Sequence, residues 1–224
     1  KILIIAVSGI GDALMFSPAL RLLRKKYPDA QIDLLAMFRG VEDIYRRNPD
    51  VNTVYFHDFL KANPFATLSY LFSLRKQRYD CSVNVYPSNR WPYNMISFLI
   101  GTKKRLGHSY NHSNFTSLNF LNNVTIHEDD RKHNVEENVY LLARLGVQHD
   151  EIPSLQLFLT NEDTSRAQDW LRNNGVADKK FIVGFHAGSS WLKNHYRRRW
   201  ASEKYAALGN ILRSEEHTSE LQSP

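Results

Sequence analysis

A short glycine-rich turn near the start of the chain carries the first residues that could do chemistry. Ser8 to Asp12 reads Ser-Gly-Ile-Gly-Asp and follows the apolar run Ile2 to Val7, which is typical of a buried parallel strand. In an open parallel sheet, the turns that follow the strands face the crevice where ligands bind. Asp12 can cap the following helix, and its carboxylate would also lie at the mouth of that crevice.

The turn lacks two marks of a dinucleotide site. The Rossmann fingerprint needs a third glycine or alanine where this chain has Leu14, and an acidic residue where the second strand ends in Ala36 to Phe38. No Walker A sequence is present either. The sequence therefore argues against a nicotinamide dinucleotide as a cofactor.

Apolar runs alternate with helical patterns along the chain, and they predict the strands and helices that must position this turn. Helices are predicted between strands at residues 1–7, 31–37, 52–56, 81–85 and 103–106. Pro18 predicts that the first helix kinks or restarts at Ser17. The stretch from His108 to Asp130 is polar and rich in asparagine, which predicts a long irregular loop. The alternation predicts an α/β fold with right-handed βαβ units and a doubly wound parallel sheet.

The strand-and-glycine pattern starts again near residue 181. Phe181 to Phe185 is a new apolar run that predicts a strand. We therefore expect an N-terminal Rossmann-like domain over 1–160, and a linker helix with the first strand and helix of a second domain over 161–212. Residues 213–224 interrupt a helix that proceeds through Leu212 and resemble a translated sequencing adapter, so they are predicted to be a non-native tail.

Composition and charge limit the classes of protein that remain. With 42% hydrophobic and 23% charged residues, the chain has a globular composition, and no apolar run reaches the ~18 residues of a membrane span. Its one cysteine, Cys81, supplies neither an internal disulfide nor a zinc site. The net charge of +6 suits a phosphorylated small molecule or an anionic membrane face, and no nucleic-acid signature accompanies it. We expect a cytoplasmic protein, with peripheral contact to the inner membrane surface allowed by its charge.

The opening of the chain resembles glycosyltransferase family 9, the heptosyltransferases of lipopolysaccharide core assembly. The family's N-terminal signature is similar to the turn Ser8 to Asp12, followed by Ser17 to Leu20 and then by Tyr27 to Ala30. A helix that begins around His133 and ends in Leu-Gly is also similar to the family. So is the turn Gly184 to Ser190, after which the chain reads Arg-Arg-Trp at residues 198–200.

The resemblance implies a GT-B enzyme, in which two Rossmann-like domains face each other across a cleft. The implied reaction is inverting transfer of a sugar, a heptose from an ADP-heptose-like donor, to lipopolysaccharide core or another lipid-linked glycan. The family's aspartate after the glycine is the catalytic base, and by resemblance that role falls on Asp12. No cofactor is implied besides the nucleotide-diphosphate sugar, which is itself a substrate.

The resemblance also implies the binding residues of both substrates. Acceptor contacts would come from Ser8, Gly9, Gly11 and His133. Donor contacts, made by small residues, backbone N–H groups and bases around the diphosphate, would come from His186, Gly188, Ser189, Ser190, Arg198 and Arg199. Arg198 takes the position that the family usually gives to lysine, and a guanidinium can still clamp phosphate.

Several alternatives stay open at the level of sequence. His133 and Glu136 could instead form a solvated helix start, and Glu128 to Asp130 reads as an acidic solvated turn rather than an Asp-x-Asp metal site. The nine histidines show no ligand spacing, so no metal is proposed. The alternative functions are a non-catalytic module that binds a phosphorylated glycan, and a transferase of the same fold for another sugar. The chain as it stands is expected to be inactive, because a strand and one helix cannot close a second sheet.

Overall fold

The computed structural model describes residues 1–111, 113–179, 182–188 and 199–220. The chain divides into two compact units, residues 1–160 and residues 161–224.

Unit 1 alternates strands and helices from its first residues. Its strands are β1 (Ile2–Ala6), β2 (Ile32–Ala36), β3 (Thr53–Phe56), β4 (Cys81–Asn84), β5 (Lys104–Ser109) and β6 (Val124–His127). Its helices are α1 (Ile10–Leu14), α2 (Ser17–Lys26), α3 (Arg39–Tyr45), α4 (Pro64–Arg75), α5 (Trp91–Ile100) and α6 (Asn134–Leu142). Short 3₁₀ turns cover Asn119–Leu121 and Ala143–Leu145.

The six strands form one parallel sheet in the order β3-β2-β1-β4-β5-β6. The chain builds outward from β1 to one edge, then returns to β4 and builds outward to the other. The strand order therefore reverses between β1 and β4, and this switch point is where a ligand crevice forms in such sheets. The predicted doubly wound parallel sheet is confirmed.

Apolar side chains cover both faces of the sheet. From β1, Ile2, Ile4 and Ala6 pack into the core cluster that contains α2, α3 and α6. Leu3 and Ile5 point the other way, into the cluster that contains α4 and α5. Because β1 is buried on both faces, its sequence reads as a continuous apolar run rather than an alternating one.

The predicted restart at Ser17 is confirmed. α1 ends at Leu14, and α2 begins at Ser17 with Pro18 in its first turn, where the missing N–H of proline removes no helical hydrogen bond. Gly146, which follows α6 and its 3₁₀ turn, adopts φ 74°, the left-handed conformation that glycine accepts at a helix end.

The predicted loop from His108 to Asp130 is wrong in two places. β5 continues to Ser109, and β6 then pairs with it in register, Leu106 opposite Val124. The asparagines between them bond internally: the Asn123 side chain accepts from the Arg105 amide at 2.8 Å and donates to the Lys103 carbonyl at 2.8 Å. The polar composition therefore marks a hydrogen-bonded connection to an edge strand, and not an irregular loop.

Unit 2 contains α7 (Asn161–Asn173) and α8 (Ser202–Glu220). The structure bears on two predictions here. The described residues 182–185 carry no strand, since they pair with no neighbouring strand. Helix α8 continues past Arg213 to Glu220, where the sequence pattern suggested a break, and the non-native origin of residues 213–224 stays a prediction. No described residue beyond 160 is buried.

Within the described part of the chain, none of the helices combines the length and apolar character that a membrane crossing requires.

Candidate functional site

The carboxyl ends of the strands bring the predicted turn to the switch point of the sheet. The turn Ser8 to Asp12 follows β1, and the segment from Val85 to Arg90 follows the neighbouring strand β4. Because these two strands are adjacent and parallel, the two connections leave the same edge of the sheet side by side. Any small ligand in the crevice would therefore meet both.

Asp12 lies in the first turn of α1 and does not cap it, which corrects one of the two predicted roles. Gly9 is the N-cap, in an extended conformation and with no side chain to offer. A Cβ placed on Gly9 would lie 3.7 Å from Asp12 Oδ2, so the carboxylate turns back over the start of its own helix. A negative charge in that position is stabilised by the helix dipole, and Asp12 stays half-buried, within reach of the crevice.

Two contacts from α3 hold α1 in place. The buried Tyr45 hydroxyl donates to the Ala13 carbonyl at 2.6 Å, and its burial raises the pKa of Tyr45, so the donor stays protonated. Gly40 lets the Ile10 side chain approach closely, because a Cβ at that position would lie 2.3 Å from Ile10 Cδ1. Residues on both sides of Asp12 are thereby fixed to a second helix.

Two residues of α5 share the electrostatic environment of Asp12. Arg90 is the exposed N-cap of α5, and Tyr93 lies buried in its first turns. Burial raises the pKa of Tyr93, the Arg90 guanidinium lowers it, and the Asp12 carboxylate raises it further. Both charges thus act on the Tyr93 hydroxyl, and they stand at the ends of the two neighbouring connections.

Ser8 and Gly11 leave room and hydrogen-bonding capacity in the turn. Ser8 is buried, and its Oγ has no hydrogen-bond partner among the described residues. A Cβ on Gly11 would meet nothing within 4 Å, so the space beside the turn is open. Buried hydroxyls are nearly always bonded, and one left over beside an open crevice is suited to a ligand hydroxyl.

A second polar cluster, which the sequence did not predict, lies at the carboxyl ends of β4, β5 and β6 and at the start of α6. His108 and Glu137 are both buried, with His108 Nε2 3.2 Å from Glu137 Oε2, and Glu137 Oε1 accepts from the Asp129 amide at 2.7 Å. The Tyr86 ring meets the His108 ring edge-on at 4.7 Å, and its hydroxyl donates to Glu128 Oε2 at 3.3 Å. We call Tyr86, His108, Glu128 and Glu137 the carboxyl-edge cluster.

The two carboxylates of this cluster differ in acidity. Burial raises the pKa of Glu128, more than the Tyr86 hydroxyl and His108 lower it. Burial also acts to raise the pKa of Glu137, but the hydrogen bonds from His108 and the Asp129 amide outweigh it and hold the pKa below its ordinary value. Glu137 is therefore a fixed anion of the interior, whereas Glu128 is the carboxylate that takes up a proton more readily.

His133 and Glu136 form a capping box at the start of α6. His133 Nδ1 accepts from the Val135 amide at 3.3 Å, and Glu136 Oε2 accepts from the His133 amide at 2.8 Å. Of the two readings that the sequence left open, the helix start is present in the structure. The acidic turn also has local partners, since Asp129 forms an ion pair with Arg131 at 2.9 Å.

The predicted donor residues lie in unit 2. His186 and Gly188 are exposed in a segment without regular structure, and Arg199 lies shortly before α8. Ser189, Ser190 and Arg198 fall outside the described residues. Among the residues that the structure describes, no three His, Cys, Asp or Glu side chains are grouped so that they could hold a metal ion.

The strand order defines a Rossmann-like α/β protein. Its ligand crevice, at the switch point of the sheet, carries an acidic group in the first helical turn after β1. The family model of glycosyltransferase family 9 (heptosyltransferase) matches residues 68–221. The chain belongs to this family. The match begins after the turn Ser8 to Asp12 and extends beyond residue 212, so neither the role of Asp12 nor the predicted tail is tested by it.

Similar proteins carry the same description. Lipopolysaccharide heptosyltransferase 3 of Escherichia coli (strain K12) is 27% identical over 209 residues, which is 90% of this chain and 57% of the relative. A solved glycosyl transferase family 9 structure from Veillonella parvula DSM 2008 has a TM-score of 0.71 at 21% identity, covering 94% of this chain and 58% of that one. ADP-heptose lps heptosyltransferase II of E. coli has a TM-score of 0.68 at 22% identity, covering 96% and 62%.

The solved structures share the fold of this chain, which confirms the predicted fold class of a GT-B type α/β protein. The chain spans less than two thirds of each of these proteins.

Proposed function

We propose that the protein to which this chain belongs is an inverting glycosyltransferase that moves a heptose from an ADP-heptose-like donor to a hydroxyl of the lipopolysaccharide core. The observation that carries the proposal is the position of Asp12, a half-buried carboxylate at the switch point of the sheet. Family membership and the names of the similar proteins, which include heptosyltransferase and ADP-heptose, support the choice of sugar and donor.

In the proposed reaction, the acceptor hydroxyl attacks the anomeric carbon while Asp12 takes its proton. One bond forms between the acceptor oxygen and the anomeric carbon, and the bond from that carbon to the diphosphate oxygen breaks, leaving its electron pair on the diphosphate. Attack from the face opposite the leaving group inverts the anomeric centre. A carboxylate fixed by its own helix and by α3 needs little rearrangement for this step.

The neighbouring residues would orient the acceptor. The open space at Gly11 and the available hydroxyl of Ser8 suit a sugar ring, and Gly9 lets the chain approach it. Arg90, the N-cap of α5, would add positive charge at the end of the neighbouring connection. His133 remains a proposed acceptor contact in addition to its capping role.

The donor diphosphate is proposed to bind unit 2 through His186, Gly188, Ser189, Ser190, Arg198 and Arg199. We propose unit 1 as the acceptor domain and residues 161–212 as part of the donor domain. No metal and no cofactor besides the nucleotide sugar enters the proposed step, because the cationic side chains would neutralise the leaving group. No described side chain beyond residue 160 is buried, so the donor residues lie outside a packed core. We therefore propose that these 224 residues alone do not catalyse the transfer of the sugar.

The alternative is a non-catalytic module that binds a phosphorylated glycan. An acid in the first turn after β1 disfavours it, because a binder of anions gains nothing from a negative charge at the mouth of its crevice. A same-fold enzyme for a different sugar keeps Asp12 in the same role, and it would differ only in the contacts to donor and acceptor.

Replacing Asp12 by asparagine in the full-length protein tests the proposal. Asp12→Asn keeps the shape of the side chain and cannot accept a proton, so we expect kcat to fall by about 10²–10⁴. Its loss of charge at the helix start costs only about 0.3–1 kcal/mol of stability. The matched control is Asp43→Asn, which removes an exposed carboxylate from α3 and should leave kcat unchanged. A well-folded Asp12→Asn protein with at least about a tenth of the parental kcat would show that the base lies elsewhere.

A further inference from the structure

Helix α4 exposes an apolar stripe on the side that faces away from the sheet. Phe65, Leu68 and Phe72 are 86%, 40% and 45% exposed, whereas Leu71 and Leu74 on the opposite side of the same helix are buried in the core. The spacing of three and then four residues places the exposed side chains in one row, about 10 Å long. The helix is therefore apolar on two sides, and only one of them has a partner within unit 1.

Positive charge surrounds this stripe. The segment from Leu60 to Arg78 contains Lys61, Arg75, Lys76 and Arg78 and not a single acidic residue. None of the four forms an ion pair within the described part of the chain. All four are exposed.

The adjacent helix extends the same character. α5 packs beside α4 on the same face of the sheet and exposes Phe98, with the Arg105 guanidinium 5.7 Å from the centre of its ring. Lys103 and Lys104 precede that arginine and are exposed as well. The helix layer on the other face of the sheet also carries bases on α2, but α2 exposes no large apolar side chain beside them.

We propose that the outer face of α4 docks on an anionic lipid surface, with the row Phe65, Leu68 and Phe72 entering the headgroup boundary and the flanking bases meeting the phosphates. A helix with an aromatic apolar row edged by lysine and arginine is the kind that lies in the plane of a membrane interface. Three side chains, even when fully covered, provide less than the ~800 Å² per partner of a stable protein interface. This favours a bilayer over a second protein.

Vesicle binding by the whole chain tests the proposal. We expect it to co-sediment with vesicles of phosphatidylglycerol and phosphatidylcholine in equal amounts, and to bind pure phosphatidylcholine weakly. Phe65→Gln with Phe72→Gln should lower the partition coefficient about tenfold or more, because glutamine keeps the helix and removes both rings. Lys61→Gln with Lys76→Gln should lower it about tenfold for the anionic vesicles only, and added salt should do the same.

The matched control is Tyr140→Gln, which removes an exposed ring of 41% accessibility from α6 on the opposite face of the sheet. Its vesicle binding should equal that of the parent. Hydrogen exchange offers a second readout that needs no variant: anionic vesicles should slow exchange of the exposed segment around α4 and leave α6 unchanged.

The proposal is overturned if the parent does not co-sediment with anionic vesicles, or if Phe65→Gln with Phe72→Gln binds them as strongly as the parent does. It is also overturned if the variant's main effect is to abolish a concentration-dependent dimer in sedimentation, which would make the row an interface between copies of this chain.

Discussion

At the scale of single residues, Glu137 joins three connections of unit 1 through one side chain. It holds His108 of β5, the amide of Asp129 after β6, and its own helix α6. The hydrogen bonds that it accepts keep its pKa below the ordinary value of 4.5 in spite of its burial. The charge is therefore part of the folded structure, and its energetic contribution depends on pH.

We expect Glu137→Gln to lower the free energy of unfolding by about 1–3 kcal/mol near neutral pH. Glutamine offers one carbonyl oxygen to two donors, so its amide nitrogen must face either His108 or the Asp129 amide. Because the folded pKa of Glu137 is depressed, its contribution is present above the unfolded value of 4.5 and is lost as the pH falls through the folded pKa. Urea unfolding at several pH values should show the difference between variant and parent shrinking toward acid.

The control for this prediction is Glu151→Gln, which changes an exposed glutamate without altering any buried contact. A Glu137→Gln protein as stable as that control at neutral pH would mean that the buried pair contributes nothing net.

The carboxyl-edge cluster could not be predicted at this scale. His108 and Glu137 lie 29 residues apart in the sequence, and the helix that contains Glu137 resembled the family without any sign that this side chain meets His108. Only the order of the strands brings the ends of β5 and β6 beside the start of α6. Asp12, by contrast, stood next to its strand in a turn whose spacing was informative. The structure corrects its predicted role as an N-cap, and its role as a base stays a proposal.

At the scale of elements, the start of α6 shows how one side chain can have two possible roles. His133 and Glu136 satisfy helix N–H groups by reciprocal hydrogen bonds. Serine is a strongly preferred N-cap residue, and alanine is a poor one. Substitutions at His133 can therefore separate the cap from any contact that the imidazole makes with an acceptor.

We expect His133→Ala to lower the melting temperature, with a loss of about 1 kcal/mol, and His133→Ser to restore the parental value. Thermal unfolding of the three proteins checks this. If His133→Ala has the same melting temperature as the parent, the capping contacts do not contribute to stability. In the full-length protein, a higher KM for the acceptor in His133→Ser, at unchanged stability, would support a direct contact with the acceptor.

The sequence predicted the central strands well and the edges poorly. β1 and β2 are buried on both faces, so continuous apolar runs identify them. β6 is a half-buried edge strand behind a run of asparagines, and that composition pointed to a loop. The opposite error occurred at the described residues 182–185, where an apolar run predicted a strand, but a strand also needs a neighbour with which to pair.

At the scale of the whole molecule, the two units differ in how much they bury. Unit 1 contains two core clusters on the faces of one sheet. In unit 2, large apolar side chains such as Trp170, Ile182 and Val183 are each more than half exposed. The stability of the chain must therefore reside in unit 1.

We expect limited proteolysis to remove unit 2 first and to leave a fragment that ends near residue 160. The fragment should melt within a few degrees of the whole chain, because none of the described side chains that are removed is buried. Mass spectrometry of the digest and calorimetry of the fragment check this. Uniform resistance along both units, or a fragment that no longer unfolds cooperatively, would show that unit 2 stabilises the fold.

The reversal of strand order between β1 and β4 also decides which pairing closes the longest loop of unit 1. Ile2 pairs with Ile32 on one side and with Cys81 on the other, whereas the outer strands join partners closer in sequence, such as Leu106 and Val124. Pairing β1 with β4 therefore costs the most loop-closure entropy in the sheet. The strands β1 to β3 and the strands β4 to β6 can each assemble before these two groups pair. The crevice lies at the carboxyl ends of these same two strands. A sugar that contacts both connections would stabilise the pairing of β1 with β4, which has the highest loop-closure cost in the sheet. Binding of the sugar and folding of unit 1 would then favour each other.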